Sequence, residues 1–381
     1  MQAEGTVSAI SIRAVNCAVT NNIVHHNGDV GIAAFGSKER RISPVVSGNV
    51  AFRNMGGGIG VADRASPVVR DNVCYENLRG GIGCRNSSPT ILDNVCYGNI
   101  RAGIGCREGA TPVVRGNKCF RNRRAGIGVR MKGTAPVVEG NECYENDMAG
   151  IGCRDGATPI IRDNLCHDNK MAGIGCDGAS PLVVGNECRD NAMAGIGVRG
   201  KGNATIQANH CHDNKLVAIG VTGGSSATII GNKLDRTGGM PPIVAVKDGS
   251  TARILDNEIT GGGVAAVLVQ GKVALGNNKF IGQGGRQGNA VWIWEGSTTS
   301  IDGNAFDGYR TAVNATKAVV VVSGNTATGT SGVAFVVKDS LRPAHVFANT
   351  VIATDNKFEV VELTGPTGIV AENFVKQPSV E

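Results

Sequence analysis

The 381-residue chain is 41% hydrophobic but only 4% aromatic, and 56 of its residues are glycine. That apolar content excludes a disordered chain, and glycine without a three-residue period excludes collagen. The net charge of +6 is unevenly placed: Arg64 to Lys132 holds thirteen Lys and Arg against four acids, a local +9 offset by −3 elsewhere.

From the amino terminus, Met1 to Ile12 shows no basic head followed by an apolar stretch, so no signal peptide is visible. No apolar run approaches the roughly 20 residues that span a bilayer. A repeat then begins. Asparagines recur from Asn22 through Asn349, and between Asn49 and Asn232 their spacing is always 22 to 24 residues. Gly103 to Asn122 is one clear copy of the unit and Gly150 to Asn169 another. Each copy carries three short apolar segments punctuated by Gly, Asn, Asp or Pro, too short for ordinary helices. The pattern predicts an all-β chain: a single-stranded right-handed parallel β-helix with three short strands per coil and about fifteen coils of roughly 23 residues. One domain is expected over 1–381, with regular coils over 31–232, degenerate coils over 233–355 and a terminal coil or cap over 356–381. The segment from Phe358 to Val375 is the candidate for closing that end.

Period-2 alternation names the core columns. The first strand contributes Ile59, Ile82, Ile104, Ile127, Ile151 and Ile174, and two positions on Val61, Cys84, Cys106, Val129, Cys153 and Cys176. Asn72, Asn94, Asn117 and their equivalents are expected at a bend between the second and third strands. Asparagine tolerates left-handed backbone there, and its amide can bond to the same amide one coil away. Asn77, Asn99 and Asn122 begin a second such row. Seven of the twelve cysteines fall in one column, from Cys74 to Cys211, which holds Ala51, Leu234 or Ile259 in other coils. Such a column is core, so these thiols are expected buried and reduced. No Cys-x-x-Cys occurs, and no metal site is expected.

Two outward rows are candidate binding surfaces. Tyr75, Tyr97, Phe120, Tyr144, His167 and His212 flank the cysteine column, with Arg189 among them. They read either as a platform for sugar rings or as a ladder that only stabilises its neighbours. Arg85, Arg107, Arg130, Arg154 and Arg199 end successive first strands, with Asp177 in the same row. Arginine forks at coil spacing suit a repeating carboxylate or sulfate. Arg79, Arg101 and Arg124 share a turn column with Met148, Met171 and Met193, which reads as a turn flank. Trp292 and Trp294 lie on one face of a longer excursion that also carries Arg286 and Glu295, and that face is read as core.

The Asn-x-Cys-x-x-Asn and Gly-Ile-Gly-Cys patterns, strong over Gly31 to Asn232, resemble the short repeats of the pectate-lyase-like β-helix superfamily. The resemblance implies the fold and a group that includes polysaccharide lyases, glycosidases, uronan epimerases, adhesins and copper-linked periplasmic proteins. Lyases of the group need calcium held by clustered carboxylates, and here only Asp177, with Asp63, Glu108 and Asp155 nearby, offers them. Asp177, Arg154 and Arg199 are therefore the candidate catalytic residues. The glycosidase Asp-Asp pair and the epimerase Asp-Pro-His-Asp signature are absent. For copper, the nearest candidates are His210 and His212 flanking Cys211.

These observations point to an extracellular, periplasmic or cell-surface β-helix that binds an acidic polysaccharide without catalysis. No cofactor is expected, and calcium would accompany lyase activity. The alternatives are a polysaccharide lyase or glycoside hydrolase of the same fold, or a structural rod of a larger surface protein. No nucleic-acid module is recognisable, and end-to-end or flanking-domain contacts are the other expected partners.

Overall fold

The computed structural model describes residues 7–13, 16–236, 238–283, 287–352 and 359–376. The described chain is all-β, and its strands pair in parallel in three sheets, which makes it a β-solenoid. It divides into two compact units, Met1–Met193 and Ala194–Glu381.

Among the described residues the first unit has eight coils. A representative coil supplies Ile82–Arg85 to the first sheet, Thr90–Leu92 to the second and Val95–Tyr97 to the third. The next supplies Ile104–Arg107, Val113–Arg115 and Lys118–Phe120. Like residues stack in register: Ile82 on Ile104, Cys84 on Cys106, and Cys96 on Cys119. Alternation buries the isoleucines and cysteines and turns Gly83 and Arg85 outward. Strands this short have no independent stability. Each is held by the coil on either side, with parallel hydrogen bonds outside and stacked apolar columns inside.

The asparagines are buried, and their amides form a continuous ladder. Asn94 Nδ2 donates to Asn117 Oδ1, Val69 O and Leu92 O, each at 2.9 Å, and the Asn94 backbone N–H donates to the same Asn117 oxygen. The left-handed backbone expected of these asparagines belongs instead to the residue before each one. Asp71, Asp93, Gly116 and Gly140 take φ between 52° and 68°. The division of labour is physical: the corner needs one residue that turns left-handed and a second whose amide points inward. Glu76, Gly98 and Arg121 make the same corner before Asn77, Asn99 and Asn122.

Among the described residues the second unit also has eight coils, from Ala194–Arg199 to Phe374–Lys376. Many of its strands are longer, as in Thr251–Leu255 and Thr298–Asp302. The first asparagine ladder runs through it from Asn209 to Asn349 and one coil further, to Asn373. Large side chains replace cysteine in the core: Phe280 stacks on Phe306 at 4.8 Å, and both are buried. Val361–Leu363, Ile369–Ala371 and Phe374–Lys376 form the last coil among the described residues. Phe358 lies outside the described residues.

Trp292 and Trp294 correct the core reading. Val291 and Ile293 occupy the inward columns, in register with Val267 and Val269, so alternation turns both indoles outward. Trp294 is 41% exposed, and the two rings meet edge to face at 5.3 Å. Arg286 lies outside the described residues.

Candidate functional site

Among the described residues all twelve cysteines are free; eleven are buried and Cys17 is half-buried. The thiols stack in register along the column: Cys74 on Cys96, Cys96 on Cys119 and Cys119 on Cys143. Burial and these neighbours push the Cys119 thiol well above its ordinary value. The column is dry packing and offers no nucleophile to solvent.

The first unit carries the outward aromatic row. Phe52, Tyr75, Tyr97, Phe120, Tyr144 and His167 stack with centroids 4.8 to 5.1 Å apart and planes within 3° to 7° of parallel. Each ring's face lies on its neighbour's, which leaves edges and hydroxyls for a ligand. Partial burial raises the Tyr97 and Tyr144 hydroxyls above the usual tyrosine range, so both stay neutral donors. His167 places Nδ1 2.7 Å from Asp168.

In the second unit His212 pairs through Nδ1 with Asp213 at 2.7 Å. Its ring stacks on His210 at 4.3 Å, and His210 Nε2 lies 2.9 Å from Asp235. Among the described residues no three His, Cys, Asp or Glu side chains gather as a metal-holding group.

Arg85, Arg107, Arg130 and Arg154 close successive first-sheet strands of the first unit and stand in register. Their neutralisation is unequal. Arg85 lies 3.4 Å from Asp63 and 3.8 Å from Glu108, Arg107 lies 2.9 Å from Glu108, and Arg154 lies 3.5 Å from Asp155. Arg130 has no ion pair among the described residues. Partial burial comes first in lowering its pKa, followed by repulsion from Arg107, Arg154, Arg101 and Arg124. Asp177 ends the next strand in register with Arg154. Arg199, the third catalytic candidate, is the exposed last residue of the strand Ala194–Arg199 in the second unit.

The repulsion on Arg130 identifies residues that sequence reasoning assigned to a turn flank. Arg79, Arg101 and Arg124 precede the same three strands that Arg85, Arg107 and Arg130 close. Arg101 is likewise lowered, first by partial burial and then by Arg79, Arg124 and Arg107. Two arginine rows thus flank one strip of the first sheet. The outward residues between them are Gly83, Gly105 and Gly128, in register. The signal was present in the sequence, in the second glycine of every Gly-Ile-Gly-Cys or Gly-Ile-Gly-Val copy and in the coincidence of both arginines in the same three coils.

A three-sheet parallel coil with amide ladders inside and a cationic strip outside defines a β-helix repeat protein. The chain belongs to the family described as right handed beta helix region, whose model matches residues 5–104, 45–187 and 176–306. No curated protein matches it significantly. Solved structures similar to it include the mannuronan C-5 epimerase AlgE6 A-module of Azotobacter vinelandii, at 14% identity and a TM-score of 0.44 over 92% of each chain. The periplasmic alginate epimerase AlgG is similar at 10% identity and a TM-score of 0.43, over 91% of this chain and 77% of that one. DFA-IIIase from Arthrobacter chlorophenolicus A6 is similar at 10% identity and a TM-score of 0.41, over 89% of each chain.

Proposed function

We propose that the protein binds an acidic polysaccharide along the first-sheet side of its first unit, and that it does so without catalysis, at the cell surface, in the periplasm or outside the cell. The observation that carries this reading is the arginine row from Arg85 to Arg154, in which Arg130 has no acidic partner among the described residues. Guanidiniums held in register by a rigid sheet repel one another, and a polymer bearing regularly placed carboxylates relieves that repulsion. Tyr75, Tyr97 and Tyr144 add hydroxyl donors from the third sheet. Phe120 and His167 hold their stack, and Arg199 and His212 are candidate contacts of the second unit taken by itself.

The test is retention on immobilised polygalacturonate with increasing salt. Replacing Arg107, Arg130 and Arg154 together with serine is expected to abolish retention at 0.1 M salt while the melting temperature stays within a few degrees. Unchanged retention overturns the reading. Polymer that shortens with time overturns the non-catalytic part and makes Asp177 the residue to replace next.

A further inference from the structure

We propose that Arg101, Arg107, Arg124 and Arg130 form the principal anion subsite of this surface, and that the carboxylates of a polyuronate chain enter it with the chain lying directly on the strip between the two arginine rows. This rests on the acidic-polysaccharide reading above and specifies where and how the polymer sits.

The first support is charge. Four guanidiniums from two adjacent coils surround one patch, and among the described residues only Arg107 of the four has an acidic partner, Glu108 at 2.9 Å. Their mutual repulsion crosses the strip as well as running along it: Arg101 is repelled by Arg107, and Arg130 by Arg101 and Arg124. A bound carboxylate would therefore face guanidiniums on both sides. Arginine is suited to this, because its planar fork accepts a carboxylate in two parallel hydrogen bonds.

The second support is the floor. Glycine in a strand interior costs about 0.5–1 kcal/mol relative to alanine, so an outward row of glycines weakens the sheet that carries it. Nothing inside the fold requires it here. A Cβ built on Gly83 or Gly105 meets nothing within 4 Å, and on Gly128 it meets only the Ala102 methyl at 3.4 Å. None of the three has positive φ. Space that the fold itself does not use lets a sugar ring approach the backbone between the guanidiniums. The double-arginine stretch ends where Met148 takes the turn position of Arg124, so the strip with arginines on both sides is confined to the coils of Arg79, Arg101 and Arg124.

Two variants test this on the full chain, with polygalacturonate as the probe and neutral dextran as the control. Arg101→Ser with Arg124→Ser should weaken binding at least tenfold and flatten its salt dependence. Gly105→Val should weaken binding at least tenfold with a melting temperature equal to or above the parent's, because valine favours strands and the space is open. If Gly105→Val fails to fold, the double arginine variant still decides. If Arg107→Ser/Arg130→Ser/Arg154→Ser abolishes binding while both of these variants bind like the parent, the function stands and this subsite is overturned. If the parent protein does not bind polygalacturonate at all, both readings fall. Tighter binding to heparin than to polygalacturonate overturns the assignment to uronate carboxylates.

Discussion

Replacing Asn117 with alanine removes a buried amide that completes five hydrogen bonds. Its Oδ1 accepts the Asn94 backbone N–H and the Asn94 Nδ2, and its own Nδ2 donates to Ile91 O, Arg115 O and Asn141 Oδ1, all between 2.9 and 3.1 Å. Each such bond is worth about 1 kcal/mol net, and a buried N–H left without an acceptor costs about 1–3 kcal/mol. The expected destabilisation is therefore about 3–5 kcal/mol, large for a substitution that removes no apolar side chain. Urea denaturation followed by far-ultraviolet circular dichroism measures it. The first unit should lose stability while polygalacturonate affinity in the absence of urea stays unchanged, because no ladder atom reaches the arginine strip. A loss below about 1 kcal/mol would refute the ladder as a stabilising element. Lost affinity in a folded variant would give the asparagine a functional role that the geometry denies it.

The thiols make a second test. One of the twelve cysteines, Cys17, should react with a thiol reagent in the native protein and the other eleven only after unfolding; disulfide-linked peptides from native protein would refute the dry column. The neighbouring thiols, together with burial, set a pH dependence. Cys74, Cys84, Cys119 and Cys153 have native pKa values raised well above the ordinary thiol range, so at alkaline pH the unfolded chain loses protons that the native chain keeps. Stability is then fully present below the unfolded thiol pKa, near 8.5, and falls above it by about 1.4 kcal/mol per thiol per pH unit. Cys84→Val with Cys153→Val, in a column that already accepts Val61 and Val129, should remove about 3 kcal/mol per pH unit of that loss; an identical alkaline slope would refute the cause. For the tryptophans, acrylamide should quench Trp294 strongly, and Trp294→Phe should remove most of the quenchable emission; two shielded indoles would contradict their outward placement.

Much of the fold was legible because a stacked coil repeats its inward columns. Ile82, Ile104 and Ile127 declare a core column through their period, and so do cysteines that alternate with valine. The corner was misassigned to asparagine for an instructive reason. Repetition marks the residue whose side chain is buried, whereas the left-handed position before it tolerates Asp71, Asp93 or Gly116 and shows no fixed identity. Trp292 and Trp294 were misread because hydrophobicity outweighed register, and only pairing with Leu268 and the inward Val267 and Val269 decides which face they take. Arg101 and Arg124 were overlooked because a column that mixes arginine with methionine does not reveal which way its side chains lean.

The incompletely neutralised strip gains weight from what the first unit does elsewhere. A solenoid can cancel any surface charge by placing the opposite charge in the same column one coil away, and this chain does so repeatedly. Arg53 pairs with Glu76 at 2.7 Å, Lys118 with Glu142 at 3.1 Å, Arg162 with Glu139 at 3.0 Å and Lys170 with Asp147 at 2.7 Å. Exposed pairs of this kind add little stability individually, but they keep a repeated charge from accumulating. In the turn column the same device is missing: Arg79, Arg101 and Arg124 follow one another, and the strand-end column sets Arg107, Arg130 and Arg154 beside them. Relaxing that repulsion would take one acidic substitution. Among the described residues the coils of the strip are joined by short turns, so a ligand here meets an exposed, preorganised array. Affinity on such an array comes from the number of coils engaged at once. The polymer should therefore bind far more tightly than its monomer, and a free uronic acid that matched the polymer's affinity would point to a single enclosed site instead.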